Sequence, residues 1–126
     1  MDTEASLVAI VDDEESVRKA LGRLVRSAGY EAAVFSSGSD FLQSLQLRLP
    51  RCVVLDLRMP RVTGFDVQQG IMRAGAGVPV IIITGDDTTD SRERALRDGA
   101  RAYLRKPVDD AMLLEAIQGA VRFGAP

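Results

Sequence analysis

A chain of 126 residues, 46% apolar and 27% charged, is the size and composition of one ordinary globular domain, long enough to bury about two-thirds of its unfolded surface without disulfides or structural metal. Its net charge of −2 gives no basic footprint for nucleic acid, which argues against direct DNA binding by this segment. With no histidine and one cysteine it has no Ser-His or Cys-His nucleophile pair, no internal disulfide and no CxxC site; any phosphohistidine step belongs to another protein.

Met1 to Ser6 holds two acids and no base, the wrong sign for the start of a secretion signal, and no apolar run approaches the ~20 residues of a membrane span. No membrane association and a cytoplasmic protein are expected. The first element is Leu7-Val8-Ala9-Ile10-Val11, an unbroken apolar run of the kind found in central strands. It ends in four successive acids, Asp12 to Glu15. Val17, Ala20, Leu21, Leu24, Val25 and Ala28 then recur at helical spacing, with Gly29 as the C-cap and Arg18, Arg23 and Arg26 suited to the helix dipole. Glu31 to Phe35 reads as a short second strand. Ser36-Ser37-Gly38-Ser39 is a turn and cap for a second helix lined by Phe41, Leu42 and Leu45.

Val53 to Leu55 is a third buried strand that runs directly into Asp56, with Cys52 at its head as an inert, buried thiol. Thr63 caps a third helix that extends to about Arg73; its apolar stripe (Phe65, Val67, Ile71) is thin, and Gly70 weakens it. After a loop from Gly75 to Pro79, Val80 to Ile83 forms a fourth buried strand ending at Thr84-Gly85. A fourth helix, about Thr89 to Arg97, has few apolar anchors beyond Ala95 and Leu96 and is expected to pack loosely. Arg101 to Arg105 is the fifth strand and Lys106-Pro107 a turn. Asp109 to Val121 is the last helix, with Met112, Leu113, Ala116, Ile117 and Ala120 inward. Five strand–helix alternations predict an α/β fold with a parallel sheet covered on both faces.

In such a sheet, ligands bind at the carboxyl ends of the strands. The polar residues predicted there are Asp12 and Asp13, Asp56, Thr84 and Lys106. Crowded carboxylates repel unless a cation joins them, and Mg2+ takes a few carboxylates together with waters and phosphate oxygens. Asp56 is accordingly read as a nucleophile that accepts a phosphoryl group. Around that group the metal takes one oxygen, the Thr84 hydroxyl donates to another, and the Lys106 ammonium offsets a third. Only Lys19 and Lys106 among 16 basic residues are lysines, so a lysine at this strand end stands out against an arginine-rich background. A cis bond before Pro107 would aim it. Each residue has a plainer reading: the acids as a solvated helix start, Asp56 as a turn acid, Thr84 as a helix cap, Lys106 as surface charge, Tyr103 as a packed aromatic with its hydroxyl outside. Their shared position at one sheet edge is what those readings do not require.

Val11-Asp12-Asp13-Glu14, Asp56-Leu57-Arg58-Met59-Pro60 with Gly64, Ile83-Thr84-Gly85 and Arg105-Lys106-Pro107 together resemble the receiver domain of bacterial two-component response regulators, from Leu7 to about Val121. Arg58-Met59-Pro60-Arg61 with Val78-Pro79-Val80-Ile81 is most similar to the FixJ-type branch, whose members usually carry a C-terminal helix-turn-helix DNA-binding domain that this chain lacks. The resemblance implies a flavodoxin-like (βα)5 doubly wound sheet in the order 2-1-3-4-5, with residues 1–122 as the receiver domain and residues 123–126 as the beginning of a linker. It implies a switch rather than an enzyme, catalysing only its own phosphotransfer and dephosphorylation. A partner histidine kinase phosphorylates Asp56. Asp12, Asp13, Asp56 and the Arg58 backbone carbonyl hold Mg2+. Thr84 and Lys106 bind phosphoryl oxygens. Movement of Thr84, with Tyr103 rotating inward, then reshapes the surface of the fourth helix, fifth strand and fifth helix that controls dimerisation or a transcriptional output domain. Val108 departs from the phenylalanine frequent there.

Beyond that pattern, Arg58 and Asp86 each lie two residues after a site residue, and a pair between them would shield the acyl phosphate from water. Three other readings compete. A haloacid-dehalogenase-type phosphatase needs an acid where Arg58 stands. A flavodoxin-like cofactor module needs a phosphate where the acids crowd. A degenerate receiver would lack some of the residues present.

Overall fold

In the computed structural model, which describes residues 6–123, five strands and five helices alternate: β1 (Leu7–Val11), α1 (Glu15–Ser27), β2 (Glu31–Phe35), α2 (Gly38–Ser44), β3 (Cys52–Asp56), α3 (Gly64–Ala74), β4 (Val80–Thr84), α4 (Thr89–Arg97), β5 (Ala102–Arg105) and α5 (Asp110–Arg122). All four strand pairings are parallel, in the order β2-β1-β3-β4-β5. The three apolar runs became the three central strands, buried along their whole length, while the mixed β2 and β5 form the edges.

Strand side chains alternate between two cores. Val8, Ile10, Val54, Ile81 and Ile83 pack against Leu21 and Val25 of α1 and Leu113 and Ile117 of α5. Val11, Val53, Leu55 and Ile82 pack against Phe41 of α2, Val67 and Ile71 of α3 and Ala95 of α4. Of residues 123–126, where a linker was expected to begin, Phe123 is the C-cap of α5 and residues 124–126 lie outside the described residues.

Some side chains face otherwise than periodicity alone indicates. Ala20 and Ala28 on α1 are exposed, as are Met112 on α5 and Leu96 on α4. The first C-cap is Ala28, with Gly29 following it at φ 96°. The α4 anchors are therefore Ala95 and the buried Ser91, supplemented by polar contacts from α3: Gln68 donates to the Ala95 carbonyl at 3.0 Å, and Arg94 stacks over Phe65 at 4.0 Å. α3 is better fixed than its thin stripe implies. Thr63 and Asp66 form a capping box, and Gly75 ends the helix in the left-handed region at φ 61°. Gly70 has a packing reason, since a Cβ there would sit 2.8 Å from Leu42.

Candidate functional site

β1 lies between β2 and β3, so the chain leaves β1 towards one side of the sheet and later returns to the other. The crevice of a doubly wound sheet opens at that reversal, beyond the carboxyl ends of the strands. Ladder hydrogen bonds continue one residue past several strands and fix the site backbone: Asp12 N–H to Phe35 O (3.1 Å), Leu57 N–H to Ile83 O (3.0 Å) and Lys106 N–H to Thr84 O (2.8 Å). Behind Asp56 the start of α3 comes very close. A Cβ on Gly64 would lie 2.7 Å from the Asp56 carbonyl oxygen and from Leu57 Cα, so only glycine fits.

Asp12, Asp13 and Asp56 each present a carboxylate oxygen within 4.8 Å of the others, with Asp12 and Asp56 buried and Asp13 exposed. Asp12 divides its oxygens: Oδ1 accepts from the Glu14 N–H at 2.9 Å, and Oδ2 lies 2.9 Å from Lys106 Nζ in a contact without hydrogen-bond alignment. Asp56 Oδ1 accepts from the Arg58 N–H at 3.3 Å and lies 3.6 Å from Lys106 Nζ. This hard oxygen set, incompletely satisfied by the protein's own donors, fits a small divalent cation such as Mg2+.

The electrostatics agree. Burial, then the neighbouring Asp12 charge, pushes the Asp56 carboxyl up to about 6; Lys106 and the Arg58 N–H only partly oppose them. For Lys106 burial is the largest single influence and acts downward, yet the surrounding carboxylates outweigh it and hold its pKa above the usual lysine value. Cys52 is buried at the head of β3 with its thiol pushed up to about 12 by burial, an unreactive thiol as expected.

Thr84 is fully buried, and its Oγ1 accepts from the Asp86 N–H at 3.1 Å. The bond between Lys106 and Pro107 is cis. Tyr103 does not place its hydroxyl at the surface, as the plainer reading of it held. Ring and hydroxyl are buried, the hydroxyl makes no hydrogen bond among the described residues, and Arg92 stands 5.6 Å from the ring centroid. Burial first, and the Asp87 carboxylate second, raise its pKa. A cleft of about 680 Å3 runs from Thr84 and Lys106 past Tyr103 and Arg92 to Met112.

Arg58 and Asp86 do pair, Nη2 to Oδ2 at 3.4 Å. Sequence reasoning missed the other partner of Arg58: the same nitrogen donates to Ser91 Oγ at 3.2 Å, linking the loop after β3 to α4. A lone serine on the inner face of an otherwise polar helix was the available signal. It also missed Glu14, which accepts from Lys106 Nζ at 3.2 Å.

A doubly wound parallel sheet with an acidic trio, a buried hydroxyl and a lysine at one edge defines a receiver-like domain. Comparison with known proteins bears this out: residues 8–118 match the response regulator receiver domain, and the chain belongs to that family. It is 39% identical over 121 residues to Nodulation protein W of Bradyrhizobium diazoefficiens, covering 94% of this chain and 53% of that protein. To the transcriptional regulatory protein FixJ of Azorhizobium caulinodans it is 32% identical over 119 residues, covering 94% and 56%. Among solved structures, a response regulator receiver protein from Burkholderia phymatum superposes with a TM-score of 0.82 at 43% identity, covering 96% of this chain and 98% of that one. The chain spans about half the length of the curated relatives it matches. Receiver domains act as signalling switches and bind Mg2+ at an acidic pocket. Among the described residues, no helix is long and apolar enough to cross a membrane.

Proposed function

We propose that this chain is a phosphorylation-activated switch in which Asp56 accepts a phosphoryl group from a partner histidine kinase. The observation that carries the reading is the convergence of Asp12, Asp13 and Asp56 within 4.8 Å, with the Lys106 ammonium 3.6 Å from Asp56. An Asp56 carboxylate oxygen forms a bond to phosphorus as the bond from phosphorus to the kinase histidine nitrogen breaks, and that nitrogen keeps the electron pair. Mg2+ held by Asp12, Asp13, Asp56 and the Arg58 backbone carbonyl supplies charge neutralisation for the transferring oxygens. Lys106 stabilises another oxygen. The Thr84 hydroxyl, whose oxygen now accepts from Asp86, keeps its proton free to donate to a third.

Recruitment of Thr84 towards the phosphoryl group withdraws a buried group from beside Tyr103 and α4, and the α4–β5–α5 surface responds. That surface controls self-association or an output domain, which we place in transcription regulation by analogy with the relatives, in a cytoplasmic protein. Dephosphorylation completes the cycle at the same site. Incubation with Mg2+ and a small acyl-phosphate donor is expected to add the mass of one phosphate, and Asp56→Asn to abolish the gain. No gain in the parent, or an undiminished gain in the variant, would overturn the assignment.

A further inference from the structure

Lys106 is contested. Its Nζ lies 2.9 Å from Asp12 Oδ2, 3.2 Å from Glu14 Oε1 and 3.6 Å from Asp56 Oδ1, and of the three the contact to Glu14 is the one aligned as a hydrogen bond. Glu14 stands outside the acidic trio, with its side chain 60% exposed. It is also the N-cap residue of α1, where a carboxylate ordinarily accepts from the backbone N–H groups of the first turn; here the side chain makes no capping bond and reaches across to β5 instead. Its backbone is held by the bond from its own N–H to Asp12 Oδ1, so its place beside the site is set by the same residue that anchors the site.

We propose that Glu14 is a positioning residue that holds the Lys106 ammonium off Asp56 while the site is unphosphorylated. This rests on the receiver reading and adds a brake to it. A phosphoryl group arriving on Asp56 must draw one Lys106 N–H away from Glu14. The interaction it gains is reduced by the one that is lost. The pair is partly exposed, so the brake is small, of the order of a few-fold, and it lowers phosphoryl affinity without touching the acids that hold the metal. Removal of an acid elsewhere on the rim would act through long-range charge alone, whereas removal of Glu14 acts through Lys106.

The test measures binding of beryllofluoride, a non-covalent phosphoryl mimic, and the rate of phosphate gain from a small acyl phosphate, both at saturating Mg2+. Glu14→Gln and Glu14→Ala are expected to bind the mimic about two- to fivefold more tightly and to accept phosphate faster by a similar factor. Glu14→Asp keeps the charge but shortens the reach, and is expected to follow Glu14→Gln. Glu14→Gln in a Lys106→Met background is expected to change nothing, as a double-mutant cycle requires if one residue acts through the other. Unchanged affinity in the single variants, Glu14→Asp behaving as the parent, or an effect that persists without Lys106 would each overturn the proposal while leaving the receiver reading intact. A parent that neither binds the mimic nor gains phosphate overturns both.

Discussion

At the scale of single residues, Asp56 pits function against stability. With its folded pKa at about 6 against the usual 3.8, the folded chain binds more protons than the unfolded one between those values. Stability is therefore greatest below about pH 4 on this account, falls as pH rises through that window, and at neutral pH the ionised carboxylate works against folding when no cation is present. Asp56→Asn is expected to be about 1–2 kcal/mol more stable than the parent near neutral pH in chelator, since solvent screens part of the penalty, and to lose that advantage below about pH 4. Chemical denaturation at the two pH values checks it; a less stable variant at neutral pH would contradict the sign. The Arg58–Asp86 pair poses a separate question of lifetime. Both side chains are more than half exposed, so their attraction adds little to stability; the role proposed for the pair is to screen an acyl phosphate on Asp56 from water. Asp86→Ala is expected to speed loss of phosphate a few-fold, and an unchanged rate would remove the shield from the mechanism.

Among the elements, α4 is the one whose attachment differs in kind. Its buried residues are Ser91 and Ala95, its leucine is exposed, and its links to the rest are polar: Gln68 to the Ala95 carbonyl, Arg58 to Ser91, Arg94 over Phe65. α5, by contrast, buries Leu113, Ile117 and Ala120. Few buried apolar contacts predict low local stability, so α4 amides are expected to exchange with solvent faster than those of α3 or α5 in native-state hydrogen exchange. Equal protection would show that the polar links substitute fully for an apolar face. The start of α3 is the opposite case, a rigid stop behind the site. Gly64→Ala would press a methyl group against the Asp56 carbonyl and Leu57, at a cost of about 1–3 kcal/mol, and is expected to impair phosphate acceptance as the Asp56 loop is displaced.

For the molecule as a whole, legibility followed burial. The runs at Leu7, Cys52 and Val80 had to be central strands because a sheet covered on both faces leaves no polar side for them. The carboxyl-terminal position of Asp12, Asp56 and Thr84 then followed from topology alone. What stayed hidden depends on side-chain reach between distant segments. Nothing in local periodicity says that Arg58 finds Ser91, that Lys106 finds Glu14, or that Met112 faces outward while Leu113 faces in. The acids themselves were visible, but their mutual approach within 4.8 Å is a property of the assembled sheet edge, so a cation bound there would be coupled to global stability. A ligand that binds only the folded state stabilises it by about 2.7 kcal/mol when present at roughly 100 times its dissociation constant. For a domain of this size each kcal/mol raises the melting temperature by about 3–6 °C. Mg2+ is therefore expected to raise the melting temperature of the parent by roughly 10 °C at that saturation. Asp13 is exposed, so Asp13→Asn is expected to fold normally, yet to require far more Mg2+ for the same rise because one of the three oxygen donors has lost its charge. A scan of melting temperature against Mg2+ concentration for both proteins separates the cases: coincident curves would show that the cation binds somewhere other than this edge.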